Sequence, residues 1–345
     1  MTPNRIAEDP RIDPRIKAVM GAFPTMEPQA DVADRQQLLD AANTDQARHT
    51  RAMLTAFMDA CDNEDLAPSA GLTISEHKLV SDPDGNKINL RFIRPEGDDL
   101  KPCVYYIHGG GMAALSCYDG NYRAWGKIIA ANGVAVAMVD FRNSVSPSSV
   151  DEVAPYPAGL NDCVSGLKWV VANAADLGID PTRIVVAGES GGGNLTLATG
   201  LRLLRDGDAG LVKGLYALCP YIAGEWPLPQ NPSSRENNGI LLDLHNNHGA
   251  MGYGIEAFEA RDPLAWPGFA TEDDVRGLPP TVISVNECDP LRDEGINFYR
   301  LLLDAGVSAR CRQVMGTVHG TEILPMLCPD VSRETAASIA QFACG

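Results

Sequence analysis

The chain has 345 residues, of which 45% are hydrophobic, and a formal net charge of −17 at pH 7. This acidity argues against binding to nucleic acid or to anionic membranes, since both require a basic surface. No apolar run reaches eighteen residues and no charged-then-apolar leader is present, so the sequence predicts neither a membrane span nor a signal peptide. The nine cysteines are scattered without paired spacing, which favours reduced thiols and a cytoplasmic location.

The pattern of residues 1–70 predicts helices with little strand character. Asp13 followed by Pro14 is typical of a helix start, because aspartate caps free N–H groups and proline fits the first helical position. Between residues 31 and 61 the apolar side chains follow a broken helical pattern. We therefore expect residues 1–70 to form the N-terminal segment of a mainly helical cap.

Strand-like sequence begins at residue 72. Two runs, 72–80 and 88–94, flank the turn sequence Asp82–Gly85 and predict a β-hairpin. Further predicted strands then alternate with helices, which is typical of a mostly parallel sheet covered on both faces. These strands are 103–107, 134–139, 183–187, 214–219, 281–285 and 309–315, and the helices between them include 121–131, 157–175 and 193–205. We expect one α/β core, residues 71–220 and 279–345, with an eight-stranded sheet flanked by helices.

The alternation breaks in residues 221–278, where prolines and glycines interrupt any core pattern. Insertions above the carboxyl ends of strands commonly form lids, so we expect this segment to complete the cap. Four of its aromatic residues are candidates for the lining of an apolar pocket: Trp226, Tyr253, Phe258 and Trp266. His245 and His248 lack a convincingly spaced third ligand, so no metal is predicted, and no cofactor.

Three consecutive glycines follow His108 at the end of the predicted strand 103–107. Side chains in such a loop would block a substrate, whereas bare backbone lets N–H groups point into a cleft. N–H groups placed in this way stabilise the negative oxygen of a tetrahedral intermediate. We predict that the N–H groups of Gly110 and Gly111, together with that of Gly191, bind this oxygen, and that Met112 contacts the substrate.

A Gly-x-Ser-x-Gly sequence, residues 188–192, follows the predicted strand 183–187 and precedes a predicted helix. Strand, tight turn and helix are the layout of a nucleophile elbow, which raises a serine hydroxyl above the edge of the sheet. The motif alone arises often by chance, and its position downstream of the glycine loop makes it informative. We predict Ser190 as the nucleophile and place Glu189 beside the substrate.

A nucleophile elbow is followed along the chain by an acid and then by a histidine. Asp289 and His319 each come after a predicted strand, in loops separated by a predicted helix. This spacing favours His319 as the base for Ser190 and Asp289 as the acid that orients it. Glu287 and Asp293 remain alternative acids.

Together these motifs resemble the hormone-sensitive-lipase-like branch of the α/β-hydrolases, and within it the brefeldin A esterase group. The likeness is carried by the glycine loop after His108, the elbow at Ser190, the run Asp289-Pro-Leu-Arg-Asp, and His319-Gly, and it extends over nearly the whole chain. Two departures could reshape the pocket wall. Many members have Asp-Tyr-Arg-Leu-Ala-Pro-Glu where this chain has the sequence that begins at Asp140, and many have Ala in place of Gly191.

The motifs and the resemblance predict a serine carboxylesterase that forms an acyl-enzyme and requires no cofactor. A triple-glycine loop leaves space beside the scissile bond, so we expect small to medium esters, including bulky or lactone esters. An amidase, a thioesterase and a catalytically silent receptor are the alternatives, and His319 argues against the receptor because receptors that resemble this family lack the catalytic histidine. A small-molecule ester is the expected partner, and a homo-oligomer remains open.

Overall fold

The computed structural model describes residues 4–23 and 28–345 and confirms the predicted α/β fold. One sheet of eight strands runs in the order β1-β2-β4-β3-β5-β6-β7-β8. Its strands are β1 (Leu72–Val80), β2 (Lys87–Pro95), β3 (Lys101–Ile107), β4 (Ala135–Asp140), β5 (Ile179–Glu189), β6 (Gly214–Leu218), β7 (Thr281–Asn286) and β8 (Ala309–Val314).

The described residues also form thirteen α-helices. They are α1 (Arg5–Glu8), α2 (Pro14–Met20), α3 (Arg35–Ala42), α4 (Asp45–Asp59), α5 (Gly120–Ala130), α6 (Ala158–Ala172), α7 (Gly191–Asp206), α8 (Ser233–Glu236), α9 (His248–Tyr253), α10 (Ile255–Glu259), α11 (Glu272–Val275), α12 (Arg292–Asp304) and α13 (Pro329–Cys344). The predicted start of α2 is confirmed, since the Asp13 side chain accepts the N–H of Arg15 and Pro14 is the first helical residue.

The sheet is antiparallel at one edge and parallel elsewhere. β1 pairs antiparallel with β2, as the predicted hairpin requires, and β2 pairs antiparallel with β4. The remaining neighbours, from β4 through β3 to β8, are parallel. Because parallel strands end at the same edge of a sheet, the loops after β3, β5, β7 and β8 meet there.

Helices cover both faces of the sheet. Helices α5 and α13 pack on one face, where they bury Tyr106 and Val185, and helices α6, α7 and α12 pack on the other, where they bury Tyr105 and Val186. Successive strand residues point to opposite faces, so a strand covered on both sides is apolar along its whole length. This explains why β4 reads as an unbroken buried run.

Arg142, just after β4, is a buried structural ion-pair partner. Its guanidinium contacts the carboxylates of Asp162 at 2.8 Å, Asp84 at 2.6 Å and Glu152 at 3.0 Å. A buried guanidinium requires such partners because its desolvation is otherwise unfavourable. The group is therefore occupied in holding the loop after β4.

The N-terminal helices and residues 221–278 lie outside the sheet and contact each other. The side-chain amide of Asn247 donates to Val32 O at 2.8 Å and accepts the N–H of Val32 at 2.9 Å, and Asp31 accepts the N–H of Asn247. Arg5 also donates to Glu236 O at 2.6 Å. In the part of the chain that the structure describes, no helix is long and apolar enough to cross a bilayer.

Candidate active site

Ser190 lies in a tight turn between β5 and α7, with φ 58° and ψ −120°. A non-glycine residue in such a conformation is strained by about 1–3 kcal/mol and persists only where its surroundings hold it. Here the Ser190 N–H donates to Leu218 O at 2.9 Å, and Ser190 O accepts the N–H groups of Tyr221 and Asn194. The strand, turn and helix predicted for a nucleophile elbow are present, and α7 begins directly after the serine.

The glycine loop, residues 108–112, lies against the first residue of α7. A Cβ atom on Gly191 would stand 2.5 Å from the Met112 nitrogen and 2.7 Å from the Gly111 nitrogen, so no side chain fits between them. Gly110 and Gly111 have φ values of +88° and +63°, which side chains disfavour. Both residues line the cavity that also contains Ser190. The structure thus brings together the three glycines that the sequence predicts as N–H donors.

The side chains of Asp289 and His319 touch at the same edge of the sheet. His319 Nδ1 lies 2.7 Å from one carboxylate oxygen of Asp289, and the other oxygen accepts the N–H of Leu291 at 2.9 Å. Asp289 is fully buried, whereas His319 is 8% exposed and lines the cavity together with Ser190. The predicted acid, base and nucleophile therefore lie at one site.

The two alternative acids have other partners. Glu287 accepts the N–H of Gly316 at 2.7 Å, while Asp293 accepts the N–H of Ser233 at 2.7 Å and pairs with Arg292 at 2.8 Å. These bonds hold the loop after β8 and a turn of the insertion against β7 and α12. Of the three candidate carboxylates, Asp289 is the one in contact with the histidine.

Two opposing effects act on the pKa of His319. Burial lowers it because the imidazolium loses hydration, whereas the charge of Asp289 and its hydrogen bond raise it, and the net pKa lies well above its ordinary value. Cys219 stands beside this pair, and burial raises the pKa of its thiol to about 11.

Cys219, Asp289 and His319 are also the described residues best placed to hold a metal ion, with potential ligand atoms within 4.8 Å of one another. An ion there would compete with the hydrogen bond between Asp289 and His319. His245 and His248 lie elsewhere, and each has a ring nitrogen 2.8 Å from a backbone carbonyl oxygen.

Ser190 opens into a cavity of about 410 Å³, whose lining is mostly apolar. Among the described residues that line it, none is lysine or arginine, and Glu189 is the one that is acidic. Its remaining side chains come from the N-terminal helices, the insertion, helix α5 and the loops of the core: Met20, Leu54, Phe57, Met58, Leu115, Asn121, Tyr122, Tyr221, Leu241, Leu242, Leu244, His319, Ile323 and Leu324. Such a lining suits an uncharged ligand.

Of the residues predicted to contact substrate, Glu189 lines this cavity, but Met112, Trp226, Tyr253 and Phe258 do not. Trp226 stacks behind the cavity wall on Tyr221, with ring centroids 4.5 Å apart, and its indole N–H donates to the buried Glu294. Met112 is 1% exposed.

The other predicted cap aromatics lie in the same packed layer behind the wall. Tyr253 and Trp266 are buried with their ring centroids 5.8 Å apart, and Phe258 packs on Phe269 at 5.7 Å. The insertion uses these rings to build its own core, which places them one layer away from the ligand.

The sequence did not reveal the apolar side chains that line the cavity from α4 and from residues 241–244. Leu54 and Phe57 belong to the broken helical pattern noted for residues 31–61, and Leu54 is 46% exposed. The signal available in the sequence was an apolar residue, such as Leu54, that falls outside a regular amphipathic pattern. Such a residue can contact a ligand, but many apolar residues lie on ordinary protein surfaces.

Comparison with known proteins finds similarity to a family with the alpha/beta hydrolase fold and to several esterases. Residues 104–323 match a family described by its alpha/beta hydrolase fold. The chain is 69% identical to esterase Est22, solved with p-nitrophenol, over 99% of both chains, with a TM-score of 0.96.

Two more distant relatives are also informative. Brefeldin A esterase, described as a bacterial homologue of human hormone sensitive lipase, is 34% identical over 99% of this chain and 97% of its own, with a TM-score of 0.86. Carboxylesterase NlhH of Mycobacterium tuberculosis is 35% identical over 248 residues, which cover 70% of this chain and 73% of the relative.

Proposed function

This chain belongs to the alpha/beta hydrolase family and is a carboxylic-ester hydrolase, and we propose that Ser190, His319 and Asp289 carry out its reaction. The predicted likeness to the hormone-sensitive-lipase-like branch is confirmed by the similarity to brefeldin A esterase over nearly the whole chain. The named relatives are esterases, which favours an ester over an amide or thioester substrate and an enzyme over a silent receptor.

In the proposed reaction, Ser190 attacks the ester carbonyl while His319 accepts the hydroxyl proton. Asp289 accepts a hydrogen bond from Nδ1–H of His319, which leaves Nε2 free as the base and stabilises the imidazolium that forms. The negative oxygen binds the N–H groups of the glycine loop and of Gly191. His319 then returns the proton to the departing alcohol, and a water molecule repeats the attack to release the acid.

The observation that carries this proposal is the 2.7 Å contact between the buried Asp289 and His319, which lines the cavity that contains Ser190. A histidine held by a buried carboxylate beside a serine in a strained turn is the arrangement that activates a weak nucleophile. The alternative acids are engaged with other groups, which supports Asp289 as the partner.

We propose uncharged esters of small to medium size, including those of bulky alcohols and lactones, as substrates. The described part of the lining is mostly apolar and offers no lysine or arginine, which supports uncharged acyl and alcohol groups, because a charged group would lose its hydration without gaining a partner. The structure of Est22 with p-nitrophenol supports aromatic alcohols as leaving groups.

The test is to detect the acyl-enzyme with p-nitrophenyl acetate. We expect a rapid burst of p-nitrophenol, with the acetyl group found by mass spectrometry on Ser190. Ser190→Ala and His319→Ala should each lower kcat by about 10⁴-fold, and the double variant should be scarcely worse because the groups act as one unit.

His49→Ala serves as the matched control, since His49 is exposed on α4 and away from the cavity. It should retain the activity of the unaltered protein. Acetylation at another residue, or a Ser190→Ala variant with undiminished turnover, would overturn the proposed mechanism.

We further propose that the enzyme works in the cytoplasm, supported by the absence of any disulfide among its nine cysteines. A homo-oligomer is proposed only as an alternative to the monomer, and light scattering of the purified protein would decide between them.

A further inference from the structure

A buried polar cluster lies beneath the glycine loop and takes no part in the reaction steps described above. Its centre is Glu189, the residue before the nucleophile, which is 2% exposed. The hydroxyl of Tyr106, on β3, donates to Glu189 Oε2 at 2.5 Å, and the hydroxyl of Tyr122, on α5, donates to Oε1 at 2.5 Å. Both tyrosines are fully buried.

The two tyrosines differ in one contact. The N–H of Gly109 donates to the hydroxyl oxygen of Tyr122 at 3.0 Å. Among the described residues, no hydrogen bond joins Tyr106 to the glycine loop. Because the Tyr122 hydroxyl donates its hydrogen bond to Glu189, the hydroxyl oxygen is left to accept the N–H of Gly109. The carboxylate of Glu189 thus fixes the direction of both hydrogen bonds at the Tyr122 hydroxyl, the one it donates to Glu189 and the one it accepts from Gly109.

The peptide of Gly109 is packed tightly against this cluster. A Cβ atom on Gly109 would stand 2.2 Å from Glu189 Oε1, so the backbone lies directly on the carboxylate. The next two residues turn sharply into the cavity, with φ values of +88° for Gly110 and +63° for Gly111. The anchored N–H therefore comes immediately before the two loop N–H groups assigned to the negative oxygen.

We propose that Glu189 and Tyr122 are positioning residues: through the N–H of Gly109 they hold the N–H groups of Gly110 and Gly111 toward the ester carbonyl oxygen. The proposal rests on the proposed function, because it requires the glycine loop to bind that oxygen. Donors of this kind stabilise the transition state only when they lie about 2.7–3.1 Å from the oxygen. A small shift of the loop is enough to weaken them.

The charge state of Glu189 is consistent with this role. Burial raises the pKa of Glu189 to about 7, although the two tyrosine hydroxyls act in the opposite direction by stabilising the carboxylate. At pH 8.5 the group is therefore a carboxylate and can only accept hydrogen bonds. Assays at pH 8.5 therefore measure the enzyme with Glu189 ionised and accepting hydrogen bonds from both tyrosine hydroxyls.

Tyr122→Phe tests the proposal, and Tyr106→Phe is its matched control. Each variant removes one buried hydroxyl that donates to the same carboxylate, but only Tyr122→Phe also removes the hydroxyl oxygen that lies 3.0 Å from the Gly109 nitrogen and accepts its N–H. For p-nitrophenyl acetate at pH 8.5, Tyr122→Phe should lower kcat by about tenfold to hundredfold with KM changed by less than about twofold. Tyr106→Phe should change kcat by less than about threefold.

A trifluoromethyl ketone, which forms a tetrahedral adduct with serine, gives a readout that a purely structural role would not move. Its inhibition constant should rise in Tyr122→Phe by the same factor as kcat falls, because both depend on binding of the negative oxygen. Equal losses in the two tyrosine variants, or an unchanged inhibition constant in Tyr122→Phe, would show that the cluster merely supports the fold.

A second pair of variants is available if Tyr122→Phe folds poorly. Glu189→Gln keeps an oxygen that can accept from Tyr122, whereas Glu189→Met removes every acceptor at similar size. We expect Glu189→Gln to retain at least about tenfold more kcat than Glu189→Met. Equal losses would overturn the proposal.

Labelling of Ser190 by a fluorophosphonate separates this proposal from the proposed function. If Ser190 is labelled and the paired variants behave alike, the positioning role alone is wrong. If another residue is labelled, the proposed mechanism itself is wrong.

Discussion

Two regions around the cavity are built in opposite ways. One is the carboxyl edge of the sheet, which holds Ser190, Asp289 and His319, and the other is the roof of the cavity, formed by the α4 side chains Leu54 and Phe57. At the edge, Asp289 and His319 are buried, and each is held by hydrogen bonds of defined direction. In the roof, α4 presents Leu54, which lines the cavity while 46% exposed, next to Met53, which is 63% exposed. The edge fixes the position of reacting groups, whereas the roof offers non-directional apolar contact. We therefore expect changes at the edge to slow every ester and changes in the roof to alter the order of preference among esters.

Exchange of the edge carboxylates gives the largest expected effect. Asp289→Asn should lower kcat by about 10³–10⁴-fold, because an amide favours the wrong tautomer of His319 and cannot stabilise the imidazolium. Glu287→Gln and Asp293→Asn are nearly isosteric controls with other partners, and each should lower kcat by less than about tenfold. Steady-state kinetics on p-nitrophenyl acetate makes the comparison. A crippled Glu287→Gln beside a mild Asp289→Asn would assign the acid differently.

Addition of one methyl group at Gly191 tests how tightly the edge is packed. Gly191→Ala should lower kcat by about tenfold to hundredfold for all esters, because its Cβ atom would press on the Gly111 nitrogen at 2.7 Å. Gly210→Ala is the control, since a Cβ atom there meets nothing within 4 Å. Unchanged kcat in Gly191→Ala would mean that the loop of this chain can shift without loss.

The pH dependence of the reaction tests whether Asp289 raises the pKa of His319 at the carboxyl edge. Since the pKa of His319 is raised and only the neutral imidazole accepts the serine proton, activity should be lost as the pH falls through that pKa. The midpoint of kcat/KM should therefore lie above about 6.5, with about a tenfold loss for each further pH unit below it. In Asp289→Asn the midpoint should move downward. A midpoint below 6.5 in the unaltered protein would contradict the raised pKa.

The smallest expected effects are those of the roof. Leu54→Ala and Phe57→Ala each remove apolar contact worth up to about 2 kcal/mol to a long acyl chain. The ratio of kcat/KM for p-nitrophenyl hexanoate to that for the acetate should fall by about three- to tenfold. Met53→Ala, an exposed neighbour that does not line the cavity, should leave the ratio unchanged. If both esters slowed equally, the roof would not select substrates.

The sequence predicted the sheet well because burial on both faces leaves a strong pattern. β4 and β7 are buried at every position, and most of their residues are apolar, so both read as strands bounded by polar turns. Boundaries were less accurate where local signals conflict. The helix after Ser190 was predicted from residue 193 but begins at Gly191, since close packing against the glycine loop overrides the low helix propensity of glycine.

The prediction of pocket residues in the insertion failed for a physical reason. Aromatic composition indicates where large apolar area must be buried, but not whether a ligand or the protein covers it. Trp226 satisfies its indole N–H through Glu294, 68 residues away, a pairing that no local pattern announces. Much of the cavity lining comes instead from apolar side chains of α4 and of residues 241–244.

The sequence by itself determined which motifs carry the chemistry and their order along the chain. A glycine loop, Ser190, Asp289 and His319 come in that order, and each follows a strand. It could do so because the ends of parallel strands meet at one edge, so position along the chain implies proximity in space. Tertiary structure alone decided which carboxylate touches His319, which side chains line the cavity, and that Tyr122 joins Glu189 to the glycine loop. These depend on contacts between distant residues, whose distance and direction are set by the packing of whole helices against the sheet.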